Sequence, residues 1–85
     1  MVKSMYYVYL LENRNGQYYI GYSADLKRRI LEHKHNKVNT TSRLKFDRLV
    51  YYEAYNSEVA AKDREKKLKQ FGSAYHGLIK RLELN

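Results

Sequence analysis

The chain has no cysteine, no proline and no tryptophan, and only nine acidic residues stand against seventeen lysines and arginines. Without cysteine there are no disulfides and no thiolate metal ligands. A secreted domain this small would often carry disulfides, so the expected compartment is the cytosol, with no membrane partner. No internal repeat and no proline-marked linker divides the 85 residues, which are expected to form one domain over 1–85. No apolar run is long enough to span a bilayer. The opening Met1-Val2-Lys3-Ser4-Met5 leads straight into a strand-like aromatic segment and lacks the design of a signal peptide. A chain of this size buries about 60–65% of its unfolded surface, so the core is modest.

What the chain has in excess is positive charge and tyrosine. A formal net charge of +8 favours a polyanionic partner through Coulomb attraction and counterion release. Ten tyrosines stand beside two phenylalanines. Tyrosine joins an apolar ring to a hydroxyl, so it suits half-buried positions and nucleic-acid grooves as well as a small core.

The local patterns predict an element order of β-β-α-β-α-α. Residues from about 5 to 12 alternate Met5, Tyr7, Tyr9, Leu11 with Tyr6, Val8, Leu10, and both sets are largely apolar, as in a strand covered on both faces. Asn13-Arg14-Asn15-Gly16 is a turn, and Gln17 to Tyr22 completes a hairpin. Ser23 or Asp25 caps a basic helix in which Leu26, Ile30 and His33 fall on one face. A polar stretch from about Lys34 to Lys45 reads as a loop, and Phe46 to Tyr55 as a third strand. Asn56 or Ser57 caps a second helix with an apolar stripe of Ala60, Ala61, Leu68 and Phe71; Gly72-Ser73 breaks it before a last helix from about Ala74 to Leu82. The expected architecture is an α/β domain of the α+β type, a three-stranded, mostly antiparallel sheet flanked by helices.

Two tyrosine-bearing triplets, Tyr7-Val8-Tyr9 and Tyr19-Ile20-Gly21, organise the candidate chemistry. Tyr9, Tyr19 and Arg29 follow one another at intervals of ten, and Glu65 is a lone glutamate with Lys62, Lys66, Lys67 and Lys69 around it. Arginine suits a phosphodiester because its planar fork donates two parallel hydrogen bonds and stays charged. One carboxylate with several waters is an adequate site for Mg²⁺, which dehydrates reluctantly. Each residue also has a structural reading. Tyr9 would serve as core and Tyr19 as a cross-strand aromatic. Arg29 would belong to a solvated basic face, with Arg28 its competitor should the register slip. His33 would be a core or surface histidine, and Glu65 would pair with Lys69 at i+4. Gly21 marks either a close backbone approach or the strand end.

The pattern resembles the GIY-YIG nuclease superfamily, and more closely its small single-domain bacterial members, which are similar to the nuclease domain of the bacterial excision-repair incision subunit. The resemblance rests on Tyr7-Val8-Tyr9, Tyr18-Tyr19-Ile20-Gly21, Ser23-Ala24-Asp25-Leu26-Lys27-Arg28-Arg29, Glu32-His33 and the block Ala61-Lys62-Asp63-Arg64-Glu65-Lys66-Lys67-Leu68-Lys69. It departs at Tyr7, where the namesake motif has glycine, at Tyr22, where the repair subunit has lysine, and over Phe71-Gly72-Ser73-Ala74-Tyr75-His76.

The resemblance implies metal-dependent hydrolysis of DNA. Tyr19 would be the general base or its close partner, Tyr9 would orient water or phosphate, and Arg29 would hold the scissile phosphate. His33 would assist positioning or proton transfer, and Glu65 would bind the cation, Mg²⁺ or Mn²⁺. A tyrosine base is the demanding step: its ordinary pKa is ~10. A nearby guanidinium favours the phenolate and burial opposes it, so a base relayed through His33 stays open. Lys27, Arg28, Lys37, Arg43 and Lys45 are the expected nucleic-acid contacts. With no separate recognition domain, low sequence specificity is expected, on branched, damaged or single-stranded DNA in repair or processing. No small-molecule cofactor is expected, and the chain is expected to be a monomer. The alternative readings are an inactive nucleic-acid-binding module of the same fold, and a subunit docking on a larger nuclease.

Overall fold

The computed structural model describes residues 4–35 and 45–84. Strand β1 (Tyr6–Glu12) and strand β2 (Tyr18–Ser23) form the antiparallel hairpin. The turn between them is tied by Asn13 rather than by positive φ at its asparagines. The buried Asn13 side-chain oxygen accepts from the backbone N–H of Asn15 at 3.0 Å and of Gln17 at 2.9 Å. Gly16 alone in this turn takes a positive φ, 76°. Strand β3 (Arg48–Tyr55) pairs antiparallel with the other side of β1, giving the order β2-β1-β3. The β-β-α-β-α-α order predicted from the sequence is the observed one.

The central strand is buried on both faces, as its two apolar sets require. Val8 and Leu10 join Ile20, Ala61, Leu68, Leu78 and Ile79 beneath helix α2 (Glu58–Lys69) and helix α3 (Ser73–Arg81). Tyr9 and Leu11 join Phe46, with Tyr19, Leu26 and Leu49, beneath helix α1 (Leu26–Lys34). The β1–β3 register skips Val50, with Leu10 opposite Tyr51 and Leu11 opposite Leu49. This bulge keeps Leu49 on the α1 side while Val50 and Tyr51 both pack toward α2 and α3.

Local capping resolves both helix starts. Asp25 caps α1, accepting from Arg28 N–H at 3.1 Å, while Ser23 Oγ accepts from Asp25 N–H at 2.9 Å. Ser57 caps α2, accepting from Ala60 N–H at 3.2 Å. Two details differ from expectation. Pairing of the third strand begins at Arg48, opposite Glu12 where β1 ends, so the buried Phe46 lies ahead of the ladder. The break after α2 falls on Phe71, at φ 55°, rather than on Gly72, whose φ is −98°. The reversal carries Phe71 off the apolar stripe: it is 52% exposed and meets Tyr75 edge-on at 4.8 Å, and Ala60 is exposed too.

A second polar cluster fastens β3 to α2. The Glu53 carboxylate accepts from Tyr51 O–H at 2.7 Å, from Tyr55 O–H, and from Arg64 through Nε and Nη2 at 3.0–3.2 Å. Burial alone would raise the Glu53 carboxyl pKa, but Arg64 and the two phenols outweigh it and hold it below the ordinary range. No helix among the described residues is long and apolar enough to cross a membrane.

Candidate active site

Tyr9 is the centre from which the site is built. It sits in the middle strand, opposite Gly21 on one side and Tyr52 on the other. Its ring lies across β2 at Gly21. A methyl group there would stand 2.7 Å from the ring Cε1 and nearer still to Cζ and the hydroxyl oxygen. The glycine of the second triplet is therefore the space that the tyrosine of the first one fills. Beyond it the Tyr9 hydroxyl meets His33 Nε2 on α1 at 3.2 Å, and both side chains are 1% exposed.

Tyr19, half-buried, closes the cluster from β2. Its ring centroid is 5.0 Å from His33, 6.5 Å from Tyr9 and 5.8 Å from Phe46. Arg29 lies one helical turn before His33 and stands beside the Tyr9 hydroxyl. Its Nη1 donates to Glu32 at 3.0 Å, and its side chain is 36% exposed. The Arg28 side chain is 68% exposed, its Nε 4.0 Å from the Asp25 and Glu32 carboxylates, and Lys27 is exposed beside it. Between the two candidate arginines, Arg29 is the one that turns inward.

The electrostatics set the charge states of Tyr9 and His33. Burial pushes the Tyr9 hydroxyl up to about 12; Arg29 opposes this, while Tyr19 and Glu65 add to it. Burial and then the Arg29 charge lower the His33 pKa, with Glu32 pulling the other way. At neutral pH Tyr9 therefore keeps its proton and His33 is uncharged, and the two share one buried hydrogen bond whose donor is set by the imidazole tautomer. For Arg29, burial works against the charge, but Tyr9 and Glu32 outweigh it and raise its pKa further.

Glu65 approaches from α2 on the opposite side of the sheet, and its charge is felt at Tyr9. Its side chain is 21% exposed and forms the i+4 pair with Lys69 at 3.0 Å. The Lys69 ammonium in turn lies 6.0 Å from the Tyr19 ring centroid. Among the described residues no three His, Cys, Asp or Glu side chains gather as a metal cage. A single, partly open carboxylate that already takes a cationic partner fits Mg²⁺, which keeps several waters and shares ligands with substrate phosphates. A divalent ion on Glu65 would displace the Lys69 ammonium.

Of the expected nucleic-acid contacts, Lys37 and Arg43 lie outside the described residues. Lys45 is exposed at φ 53° and lines a recess with Arg14, Lys34 and Asp47. Tyr22 turns away from the Tyr9 cluster. It packs against the core under α2, donates to Glu58 at 2.7 Å and carries Lys62 Nζ 5.5 Å above its ring. Sequence reasoning missed Phe46 as a wall of the site; the signal was one of only two phenylalanines, set just ahead of a strand.

Comparison with known proteins finds relatives over most of the chain. A family model described as the GIY-YIG catalytic domain matches residues 5–76. A UPF0213 protein of Streptococcus pneumoniae serotype 4 is 37% identical over 65 residues, covering 75% of this chain and 66% of that protein. One of Streptococcus agalactiae serotype V is 38% identical over 71 residues, covering 82% and 81%. The solution NMR structure of a UPF0213 protein from Bacillus halodurans superposes with a TM-score of 0.57 at 32% identity, covering 95% of this chain and 87% of that one.

Proposed function

The chain belongs to the GIY-YIG nuclease family, and on that premise we propose that it is a metal-dependent endonuclease hydrolysing DNA phosphodiesters. The observation that carries this reading is the Tyr9 hydroxyl held between the His33 imidazole and the Arg29 guanidinium, with Tyr19 beside them. These groups come from three elements, and their packing supports a preorganised acid–base and phosphate site.

In this proposal Arg29 binds the scissile phosphate and offsets charge as it builds on the equatorial oxygens. Tyr19, the more open of the two tyrosines, orients the attacking water. A standing Tyr9 phenolate is negligible at neutral pH, because the hydroxyl is pushed up to about 12. Tyr9 instead passes its own proton to His33 Nε2 as it takes one from the water, so that no phenolate accumulates. Tyr19 is thus the close partner of the base, and His33 the final acceptor. Glu65 would hold the cation, Mg²⁺ or Mn²⁺; when bound, it polarises a phosphate oxygen and stabilises the leaving oxygen. The exposed lysines and arginines nearby suit phosphate contact, which supports low sequence specificity on branched, damaged or single-stranded DNA, in repair or processing. We take the monomer as the working unit.

The test is a gel nicking assay on duplex, flap, junction and single-stranded DNA with Mg²⁺, Mn²⁺ or EDTA. Metal-dependent cleavage is expected in the wild type and should be lost in Tyr19→Phe and Glu65→Ala. Undiminished cleavage by purified Glu65→Ala would sink the metal role. The Glu65–Lys69 ion pair favours a second reading, an inactive module that holds nucleic acid without turnover. That reading expects salt-dependent binding and no cleavage in any metal.

A further inference from the structure

Half of the fourteen lysines and arginines among the described residues are already engaged. Arg28, Arg29, Arg48, Lys62, Arg64, Lys67 and Lys69 each face a carboxylate within 4.0 Å. All nine Asp and Glu residues lie among the described residues. Within that set, Arg14, Lys34 and Lys45 have no carboxylate at ion-pair distance, yet they converge on one recess of about 170 Å³. Arg14 comes from the hairpin turn, Lys34 from the last turn of α1 and Lys45 from the approach to β3. Asp47 is the acid on the lining, which leaves two net positive charges. At about 30 Å³ per water, the recess has room for about six waters or for a phosphate group in their place.

Its position gives it a purpose. Lys34 directly follows His33, and Lys45 directly precedes Phe46. The rings of His33 and Phe46 both pack against Tyr19, at 5.0 and 5.8 Å. Two of the recess residues are thus chain neighbours of walls of the tyrosine cluster, and Arg14 lies in the hairpin turn. The exposed Lys27 and Arg28 lie at the other end of α1, by its first turn.

We propose that Arg14, Lys34 and Lys45 form a second phosphate site, which takes a backbone phosphate flanking the scissile one and leads the nucleic-acid strand from the tyrosine cluster toward the hairpin turn. This deepens the nuclease reading and rests on it for the identity of the neighbouring site. The energetic reason is that like charges left unpaired in one recess repel one another, and a phosphodiester relieves that repulsion while releasing its counterions.

The test uses the full chain and a fluorescein-labelled flap duplex in EDTA, with affinity read by anisotropy over a range of KCl concentrations. Arg14→Gln/Lys34→Gln/Lys45→Gln is compared with Lys66→Gln/Lys67→Gln/Lys80→Gln, which removes the same charge from α2 and α3. The recess variant should lose affinity about tenfold at low salt, and its salt slope should fall by about one for each phosphate it no longer neutralises. The control should lose less than about threefold. A methylphosphonate scanned along the flap strand should weaken wild type at one position and leave the recess variant unaffected there. Equal losses in the two variants, or an unchanged slope in the recess variant, would overturn the proposal. Arg14→Gln alone carries the same test should the triple variant melt early. Binding is read without metal, so absence of cleavage by wild type would refute the nuclease reading alone. Normal affinity and cleavage in the recess variant would refute the second site alone.

Discussion

Gly21→Ala is the sharpest probe of the site, because two effects of opposite sign compete at that position. Gly21 does not have a positive φ. By backbone entropy alone, alanine there would stabilise the strand by about 0.4–1 kcal/mol. The packing says the reverse. The new methyl would enter the space of the Tyr9 ring, 2.7 Å from Cε1 and closer to the atoms beyond it. A ring end can swing aside when it is free, but this one is 1% exposed and bonded to His33 at 3.2 Å. Overpacking of this kind costs ~1–3 kcal/mol. Moving the ring also breaks the buried Tyr9–His33 hydrogen bond, for ~1–3 kcal/mol more. The net expectation is a loss of about 2–5 kcal/mol, or ~10–30 °C in Tm for a domain of this size. Urea unfolding followed by circular dichroism measures it. The decisive comparison is the same substitution in a Tyr9→Leu background, where the ring end is gone. There Gly21→Ala should be nearly neutral, a coupling of about 2 kcal/mol or more. A stabilised Gly21→Ala, or an equal cost in both backgrounds, would refute the close-approach argument.

Two further outcomes are expected. His33 has a depressed folded pKa, so above the unfolded value of ~6.5 both states are neutral, whereas below it the unfolded chain takes the proton first. Stability present above about pH 6.5 should therefore fall as pH drops through the folded value; His33→Gln should flatten this limb in pH-dependent urea unfolding, and the acid limb of any cleavage profile should lie below the ordinary histidine range. Glu53→Gln should lower stability by about 2–3 kcal/mol in urea unfolding, since the amide keeps the shape but leaves Arg64 without its counter-charge. The wild-type contribution of Glu53 is present above the ordinary carboxyl pKa and is lost as pH falls through its depressed folded value. A Glu53→Gln midpoint equal to wild type would mean that this cluster does not fasten β3 to α2.

Much of the architecture is legible in the sequence because it is local. Two apolar sets in 5–12 require a strand buried on both faces, and that strand is the centre of the sheet. Ser57 and Asp25 act as caps because a short side-chain oxygen reaches an N–H three residues on, whatever the rest of the fold does. The hairpin turn is legible in place but not in mechanism. Asn13 ties it through its side chain, a bond that depends on the residue being buried at the end of β1. Phe71 belongs to the apolar stripe only if the helical period runs one turn too far. The chain reverses there, and the left-handed backbone sets the ring outside.

By itself the sequence determined the element order, the excess of positive charge, and the small set of tyrosines, arginines, histidine and glutamate from which a phosphodiester site is drawn. Those follow from side-chain chemistry and from periods of two and 3.6, which need only near neighbours. Tertiary structure alone decided that Tyr9 is sealed while Tyr19 stays half open, and that Arg29 rather than Arg28 meets the buried hydroxyl. It also decided that His33 is the partner of the Tyr9 hydroxyl and that Gly21 is the room the ring requires. Each of these depends on burial and on charges brought from another element, 24 residues away in the case of Tyr9 and His33. Desolvation and Coulomb forces act through space, and the order of residues along the chain does not encode them until the sheet and its helices close.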